Sequence, residues 1–364
     1  MMTKERMETI INESIGNLRT NNFNLYFFVL DTKGNPSSSL EYIYNTALIL
    51  HNKGYRVTML HQENDFVGVN DWLGDKYDVL PHKNIAKDNV EVSISDFLFI
   101  PEIFGNVVAQ TKSLNCKKVM IVQNYNHITE FLPVTASMEE MGITDAVVTT
   151  EVQEEKMRKY FPTVRTHVVH PAISDVFMKT DTPKELAINL ICKDPTLVNQ
   201  IVKPFYWTNP LYKWVSFRDL RGMTQKGFAE ALNRSAITVW IDDSSNFGTT
   251  LLEAMRCGGI VMAKVPDHPA EWMMDGKELT NRVVWFDDLD YLPDMLVSAV
   301  RTWTNDKIPQ EIYDRTAEMD KHFTMDIMEK EVEETYIKGF VKRRMDEFEE
   351  VRNDIDKNIL KFGE

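Results

Sequence analysis

The residues with the clearest chemical potential lie in the stretch SSNFGTTLLEAMRCGG, positions 244–259. It follows ITVWID, an apolar run that predicts a buried strand. Positions 249–257 predict a helix, which Gly258 ends in a left-handed conformation. Gly248 has no side chain, so a ligand can approach the backbone closely at the start of this helix. A strand, a tight turn and a helix therefore present a helix N-terminus to a ligand.

The first turn of this helix is suited to an anion. The free amides of Thr249, Thr250 and Leu251, with the positive end of the helix dipole, would face a diphosphate. Glu253 lies one turn after Thr249 on the same face, so its carboxylate could accept hydrogen bonds from a ribose diol. On this interpretation Gly248→Val should abolish nucleotide affinity and leave the fold nearly intact.

A purely structural interpretation explains the same stretch. In it, Ser244, Ser245 or Asn246 caps the helix, and Glu253 complements the positive helix end. The two interpretations differ most at Glu253, which either binds a ligand or only stabilises its own helix.

The elements around this stretch alternate between strands and helices. In the first half, apolar runs such as NLYFFVLD, YRVTML, DFLFIPE, KKVMIVQN and DAVVTT alternate with helical patterns, including helices near 104–114 and 135–141. Such alternation is typical of a parallel, doubly wound α/β sheet. Polar and turn residues at 170–185 interrupt it as a linker would, and the alternation then restarts with LAINLIC.

We therefore predict two Rossmann-like, doubly wound domains facing a cleft, where the carboxyl ends of the strands bind ligands. The predicted boundaries are 1–172 for the first domain, 173–323 for the nucleotide-binding domain and 324–364 for a helical tail. Apolar residues three to five positions apart predict that the tail is one long helix, or two joined near Gly339, that returns to the first domain.

Composition limits the function classes. A net charge of −14 gives no electrostatic argument for nucleic-acid binding, although a local basic groove would permit it. The N-terminus has no apolar signal core and no run approaches the roughly 20 apolar residues of a membrane span, so we expect a cytoplasmic protein. The three cysteines are far apart and suggest neither a disulfide framework nor a zinc site.

The motif NFGTTLLEAMRCGGIVMAKVPDHPAEWM resembles the donor-site signature of GT-B retaining glycosyltransferases of the Glu-x7-Glu group, similar to glycosyltransferase family 4. The matching residues are Phe247-Gly248, 252–255, Cys257-Gly258 and Glu271. GNPSSSLEYIYNTALILHNKGYRVTML and RTHVVHPAISDVF resemble the family's first glycine loop and its passage into the second domain. The resemblance covers nearly the whole chain.

One departure concerns the donor sugar. Ser245 stands where the family has its first glutamate, which ordinarily contacts the donor sugar, and Asn246 replaces the usual glycine. Serine can still form a hydrogen bond but carries no charge, so the choice of sugar or the activity can differ. For the family's cations on the diphosphate, Lys193 is the nearest positional match, and Arg218, Arg221 and Lys226 are candidates from the next loop.

The resemblance implies transfer of a sugar from a nucleoside diphosphate sugar, with UDP-sugar favoured, to an acceptor hydroxyl with retention of configuration. Positive groups and helix amides would stabilise the leaving diphosphate, so no metal or other cofactor is required. In the first domain, the loops at 34–39 and 123–130, with Gly34 and His127, should meet the transferring sugar and the acceptor. We assign His170 to the linker. Asp242-Asp243 and Asp287-Asp288-Leu289-Asp290 resemble the acidic metal-binding triplets of the other large transferase fold, but we assign them to strand ends or loops.

Two other classes remain open. The serine at position 245 permits a catalytically weak nucleotide-sugar-binding scaffold, and sugar-nucleotide epimerases share the two-domain architecture. The acceptor of a transferase could be a glycan, a protein, a lipid head group or a modified DNA base.

Overall fold

The structure is a computed structural model that describes residues 3–135, 137–242, 246–306, 310 and 321–357. Its first sheet has seven parallel strands in the order β3-β2-β1-β4-β5-β6-β7. These strands are β1 (Asn24–Phe28), β2 (Arg56–His61), β3 (His82–Asn84), β4 (Phe97–Pro101), β5 (Lys117–Val122), β6 (Ile143–Val148) and β7 (Arg165–Val168). The strand order reverses between β1 and β4, which is where doubly wound sheets bind ligands.

The helices of the first half cover both faces of this sheet. They are α1 (Lys4–Arg19), α2 (Ser38–Asn52), α3 (Asn70–Leu73), α4 (Gly105–Gln110), α5 (Tyr125–Phe131) and α6 (Glu151–Tyr160). The helix predicted near 104–114 is confirmed as α4 with a 3₁₀ turn on either side, Glu102–Phe104 and Thr111–Ser113. The prediction for 135–141 was wrong, because its described residues form turns (residue 136 lies outside the described part), and a helix forms at 125–131, within the predicted loop 123–130. Asn124 caps α5, because its side chain accepts the Asn126 N–H.

The second sheet has five parallel strands in the order β14-β11-β10-β8-β9, which reverses between β8 and β10. These strands are β8 (Glu185–Cys192), β9 (Ser216–Asp219), β10 (Ser235–Ile241), β11 (Ile260–Lys264) and β14 (Val284–Phe286), with a small hairpin of β12 (Met274–Asp275) and β13 (Glu278–Leu279). Its helices are α7 (Pro195–Thr208), α8 (Gln225–Arg234), α9 (Thr249–Arg256) and α10 (Leu292–Asp306). The predicted architecture of two doubly wound domains is confirmed, and the exact domain boundaries stay a prediction.

The tail returns to the first domain, as predicted. It runs through α11 (Met325–Val332), a π-helical segment (Glu333–Val341) that contains Gly339, and α12 (Lys342–Asp356). Buried tail side chains join the core formed by α1, α2 and the first sheet; they are Met328, Val332, Tyr336, Phe340, Phe348 and Ile355. In the described part of the chain, no helix is long and apolar enough to cross a bilayer.

Candidate functional site

A cleft of about 510 Å³ lies between the two domains. Residues that follow β8, β9 and β10 line it from the second domain, and loops that follow β1 and β5 line it from the first. The cleft therefore lies at the carboxyl edges of both sheets, beside the points where their strand orders reverse. Several residues of the predicted site line it: His127, Lys193, Asn246, Phe247, Thr249, Thr250 and Glu253.

The N-terminus of α9 faces this cleft. Gly248 has φ +75° and ψ +40°, the left-handed conformation that turns the chain from the loop into the helix. Thr249 and Thr250 line the cleft directly. Leu251 differs from the prediction, because its side chain is buried and its amide donates to the Gly248 carbonyl oxygen at 3.0 Å. The part of the helix that can meet an anion is therefore its first two residues.

Gly248 is also required by its own loop. A β-carbon added there would lie 2.5 Å from Met273 Cε and 3.3 Å from a ring carbon of Trp272. The Trp272 indole donates to the Phe247 carbonyl oxygen at 2.8 Å, which fixes the tryptophan against this turn. The expectation that Gly248→Val leaves the fold nearly intact is therefore corrected, since the change forces a β-branched residue into a left-handed, crowded position.

Glu253 is the buried acid of the cleft. Only 6% of its surface is exposed, and none of the residues that the structure describes donates a hydrogen bond to its carboxylate. Burial, and then the nearby carboxylate of Glu41, raise the pKa of Glu253 well above its usual range. Because it lies in the second turn of α9, it is also poorly placed to complement the helix end.

Glu41 is a cleft residue that the sequence analysis missed. It lies near the start of α2 in the first domain, is 6% exposed, and accepts a 2.7 Å hydrogen bond from Gln225 of the second domain. Burial raises the pKa of the Glu41 carboxyl, and the Gln225 bond partly offsets this. The available signal was that Glu41 is the one charged residue in the buried stretch LEYIYNTALIL.

The candidate cations differ in position. Lys193 lines the cleft, and its Nζ lies 2.6 Å from an Asp242 carboxylate oxygen. Arg221 also lines the cleft, in an ion pair with Asp219. By contrast, Arg218 and Lys226 are not among the cleft-lining residues, and Arg218 is paired with Glu185. The structure therefore brings Lys193 and Arg221 to the cleft and directs Arg218 elsewhere.

The first-domain loops approach the same space. Residues 35–39 line the cleft around the N-terminus of α2, where the Ser37 side chain caps the helix, whereas Gly34 (φ +77°) lies just outside the lining. His127 lines it from α5, and its Nδ1 is 3.3 Å from a carboxylate oxygen of the buried Glu102. A sugar held near α9 would therefore have this histidine on its first-domain side.

Asn246 joins the two domains. Its Oδ1 accepts the Tyr125 N–H at 2.8 Å and the Gln153 Nε2 at 3.1 Å, both from the first domain. The side chain is 4% exposed. Asn246 lines the cleft, its side-chain oxygen belongs to an interdomain hydrogen-bond network, and its contact with the nucleotide stays a prediction.

We expect Asn246→Ala to lower the free energy of unfolding by about 2–3 kcal/mol, because it leaves two buried donors unsatisfied. Urea denaturation measures this. Asn199→Ala, at an exposed position of α7, is the matched control and should change stability by no more than about 0.5 kcal/mol. Equal stability of the two variants would contradict the interdomain role.

His170 joins three parts of the chain. Its ring nitrogens lie 3.2 Å from a Glu271 carboxylate oxygen and 2.9 Å from a Glu331 carboxylate oxygen, and Glu271 also accepts the Glu151 amide of α6. Although burial opposes the charge, hydrogen bonds to Glu271 and then Glu331 raise the pKa of His170 to about 9. The linker, the second domain and the tail are thus held by one protonated histidine.

This raised pKa predicts a pH dependence of stability. The stabilisation from His170, on the order of 3 kcal/mol, is fully present below pH 6.5 and is lost as the pH rises through about 9. His170→Gln should therefore be less stable than the wild type near neutral pH and nearly equal to it at about pH 10. Thermal unfolding of both proteins over this range measures the difference, and a pH-independent difference would exclude the linkage.

Ser245, Ser244 and Asp243 lie outside the described residues, so the position of Ser245 stays a prediction. Within the described ranges, no group of three His, Cys, Asp or Glu residues is arranged to hold a metal ion.

Several solved structures share this fold. Sucrose-phosphate synthase from Thermosynechococcus elongatus is 11% identical, with a TM-score of 0.58 over 88% of this chain and 100% of that chain. The pneumococcal O-GlcNAc transferase GtfA, in complex with UDP and GlcNAc, is 7% identical, with a TM-score of 0.57 over 92% of this chain and 99% of that chain. A glycosyltransferase from Rickettsia africae ESF-5 is 12% identical, with a TM-score of 0.57 over 92% of this chain and 99% of that chain.

No protein-family model matches the sequence, and no curated protein matches it significantly. At such low identities the structural likeness establishes the fold, which is that of GT-B glycosyltransferases.

Proposed function

We propose that this protein is a glycosyltransferase that moves a sugar from a nucleoside diphosphate sugar to an acceptor hydroxyl with retention of configuration. The observation that carries the proposal is the Glu253 carboxylate, which is buried in the cleft and receives no hydrogen bond from the described residues. A buried acid without donors is costly, and the two hydroxyls of a ribose would supply donors. A nucleotide therefore satisfies a group that the protein leaves unsatisfied.

The rest of the nucleotide would lie along α9. A ribose at Glu253 puts the diphosphate at the amides of Thr249 and Thr250, where the helix dipole favours negative charge. Lys193 and Arg221 are the cleft cations that could approach its oxygens. The shared fold of the pneumococcal transferase, which binds UDP and GlcNAc, supports a uridine donor.

In the proposed reaction the bond between the sugar and the diphosphate breaks as the acceptor hydroxyl attacks the same face of the anomeric carbon. The helix amides and cations stabilise the negative charge that develops on the leaving diphosphate, and no metal is required. Ser245 would contact the donor sugar, by the family resemblance, and His127 would face it from the first domain. The acceptor proton leaves with the diphosphate.

One observation supports a second candidate, a nucleotide-sugar-binding scaffold. Both cleft cations are already paired with carboxylates, Lys193 with Asp242 and Arg221 with Asp219. A diphosphate must compete with these acids, which weakens stabilisation of the leaving group.

Incubation with pure UDP-sugars separates the candidates. A transferase slowly releases UDP and free sugar even without an acceptor, since water replaces the hydroxyl. A scaffold binds the donor, raises the melting temperature and releases no UDP. An epimerase changes the sugar and keeps it attached to UDP. Absence of both binding and turnover for all UDP-, GDP- and ADP-sugars would contradict the proposal.

A further inference from the structure

The end of α7 exposes three large apolar side chains far from the cleft. Trp207 is 74% exposed, Leu211 is 85% exposed and Trp214 is 61% exposed. They lie within eight consecutive residues, at the end of the helix and in the turn that follows it. We call these three residues with Lys203 and Lys213 the α7 tip. Single exposed apolar residues are common, but three such large ones together usually indicate a binding surface.

The backbone beneath the α7 tip is firmly held. The Tyr206 hydroxyl donates to the Val215 carbonyl oxygen at 2.6 Å, and Arg301 of α10 donates to the Tyr212 hydroxyl at 3.0 Å. The Tyr212 ring packs 6.3 Å from the Phe205 ring, which is fully buried. The apolar side chains are therefore presented by an ordered turn and project from it.

The charge at the α7 tip is opposite to that of the whole protein. The chain carries 55 acidic residues in 364, yet positions 195–214 contain no Asp or Glu and two lysines. On the neighbouring strand β8, the first residue, Glu185, is in an ion pair with Arg218. The two lysines are therefore the charged residues that the segment 195–214 itself presents to a surface.

The position of the α7 tip keeps it away from the site. α7 begins just after Lys193, which lines the cleft, and its 14 residues span about 21 Å toward the opposite edge of the sheet. A surface bound at the tip therefore leaves the cleft open.

We propose that the α7 tip docks the protein onto an anionic lipid bilayer. Tryptophan and leucine partition into the interface between head groups and acyl chains, and the flanking lysines attract anionic head groups. Projecting side chains suit a bilayer, which yields around them, better than a protein partner, which needs a matching pocket for each. The lipid surface holds the enzyme in place, and the cleft faces away from it.

Vesicle sedimentation tests this inference with the full-length protein. The vesicles are phosphatidylcholine alone, and phosphatidylcholine with about one third phosphatidylglycerol. We expect wild-type protein to bind the anionic vesicles at low salt. The triple variant Trp207→Ser, Leu211→Ser, Trp214→Ser should bind at least about tenfold more weakly. Lys203→Gln with Lys213→Gln should reduce binding to anionic vesicles and its dependence on salt.

Tyr291→Ser is the matched control, because Tyr291 is a single exposed aromatic side chain (69%) in the same domain. It should bind vesicles like the wild type. Equal binding by the triple variant, or no binding of the wild type to either vesicle, would overturn the inference. If the wild type does not bind vesicles but associates with itself, and the triple variant does not associate, the α7 tip is instead a contact between copies of the protein. A cooperative thermal unfolding transition near that of the wild type confirms that the triple variant is folded, and vesicle binding is independent of the proposed activity.

Discussion

Glu253→Gln is expected to weaken UDP binding by about 1.5–3 kcal/mol, roughly ten- to a hundredfold. The carboxylate accepts two hydrogen bonds from a ribose diol, whereas the amide can accept at only one atom and carries no charge. Calorimetric titration of UDP into both proteins measures the loss. This prediction depends on the proposed function, since it requires a nucleotide in the cleft.

The same substitution should increase stability. Burial, together with the Glu41 carboxylate, raises the pKa of Glu253, so the folded protein disfavours the charged form. The contribution of Glu253 to wild-type stability is therefore most favourable below its ordinary pKa of 4.5 and falls as the pH rises above that value. Glutamine does not ionise, so at neutral pH the variant should melt at a higher temperature than the wild type. An acid that only complemented its helix would give the opposite result, a loss of about 0.3–1 kcal/mol.

A ligand control assigns the loss of affinity to the ribose. The wild type should bind the 2′,3′-dideoxy analogue of UDP poorly, and Glu253→Gln should change the affinity for this analogue little. Glu230→Gln, an exposed position on α8, should change neither affinity nor stability. Equal binding of UDP and its analogue to the wild type would remove Glu253 from the site.

The sequence predicted the architecture because its signal is local and repeated. Short apolar runs alternate with helical patterns throughout, an order that is typical of parallel α/β sheets, and the polar linker at 170–185 divides it into two domains. The position of the cleft follows from the same rule, since ligands bind at the carboxyl ends of the strands. The turn at Gly248 and the end of α9 at Gly258, which has φ +75°, were predictable because glycine adopts this conformation readily.

Contacts between the domains were not predictable in the same way. Glu41 and Gln225 are 184 positions apart, and Asn246 and Tyr125 are 121 positions apart. No local pattern indicates which polar side chains meet across a cleft. For Asn246 the departure from the family's glycine was visible, but its hydrogen-bonding partners depend on how the two domains are placed.

Local hydrogen bonds account for the helix that was missed in the first domain. Asn124 caps the helix at 125–131, and a side-chain cap stabilises a helix by about 1 kcal/mol. The described residues of 135–141 instead form turns after Pro133, where the Glu140 N–H donates to Ser137 Oγ and the Met141 N–H to the Ser137 carbonyl oxygen. The amide of Leu251 was misjudged because the first turn of α9 tightens and uses that amide internally.

Phe340→Ala is expected to destabilise the protein by about 3–5 kcal/mol, the range for removing a buried aromatic ring. Phe340 lies in the π-helical segment of the tail and is fully buried. Its ring centroid is 6.2 Å from that of Phe99 in β4, 5.4 Å from that of Tyr336 and 5.1 Å from that of His167. A cavity at this point would separate the tail from the strands it covers. Urea denaturation measures the loss.

An exposed phenylalanine and the affinity for UDP are the two controls for Phe340→Ala. Phe131→Ala removes the same ring from a position that is 41% exposed and should cost about 1 kcal/mol or less. No residue of the described tail lines the cleft, so folded Phe340→Ala should bind UDP as the wild type does. Phe340→Ala would then lose stability and keep its affinity for UDP, whereas Glu253→Gln should lose affinity without losing stability.

Limited proteolysis tests the position of the tail directly. If it removes the tail from the wild type and leaves a folded protein of unchanged stability, the tail is not part of the first domain's core. The buried positions of Met328, Val332 and Phe340 argue against that result, because cleavage would expose a row of apolar side chains together with the sheet face beneath them.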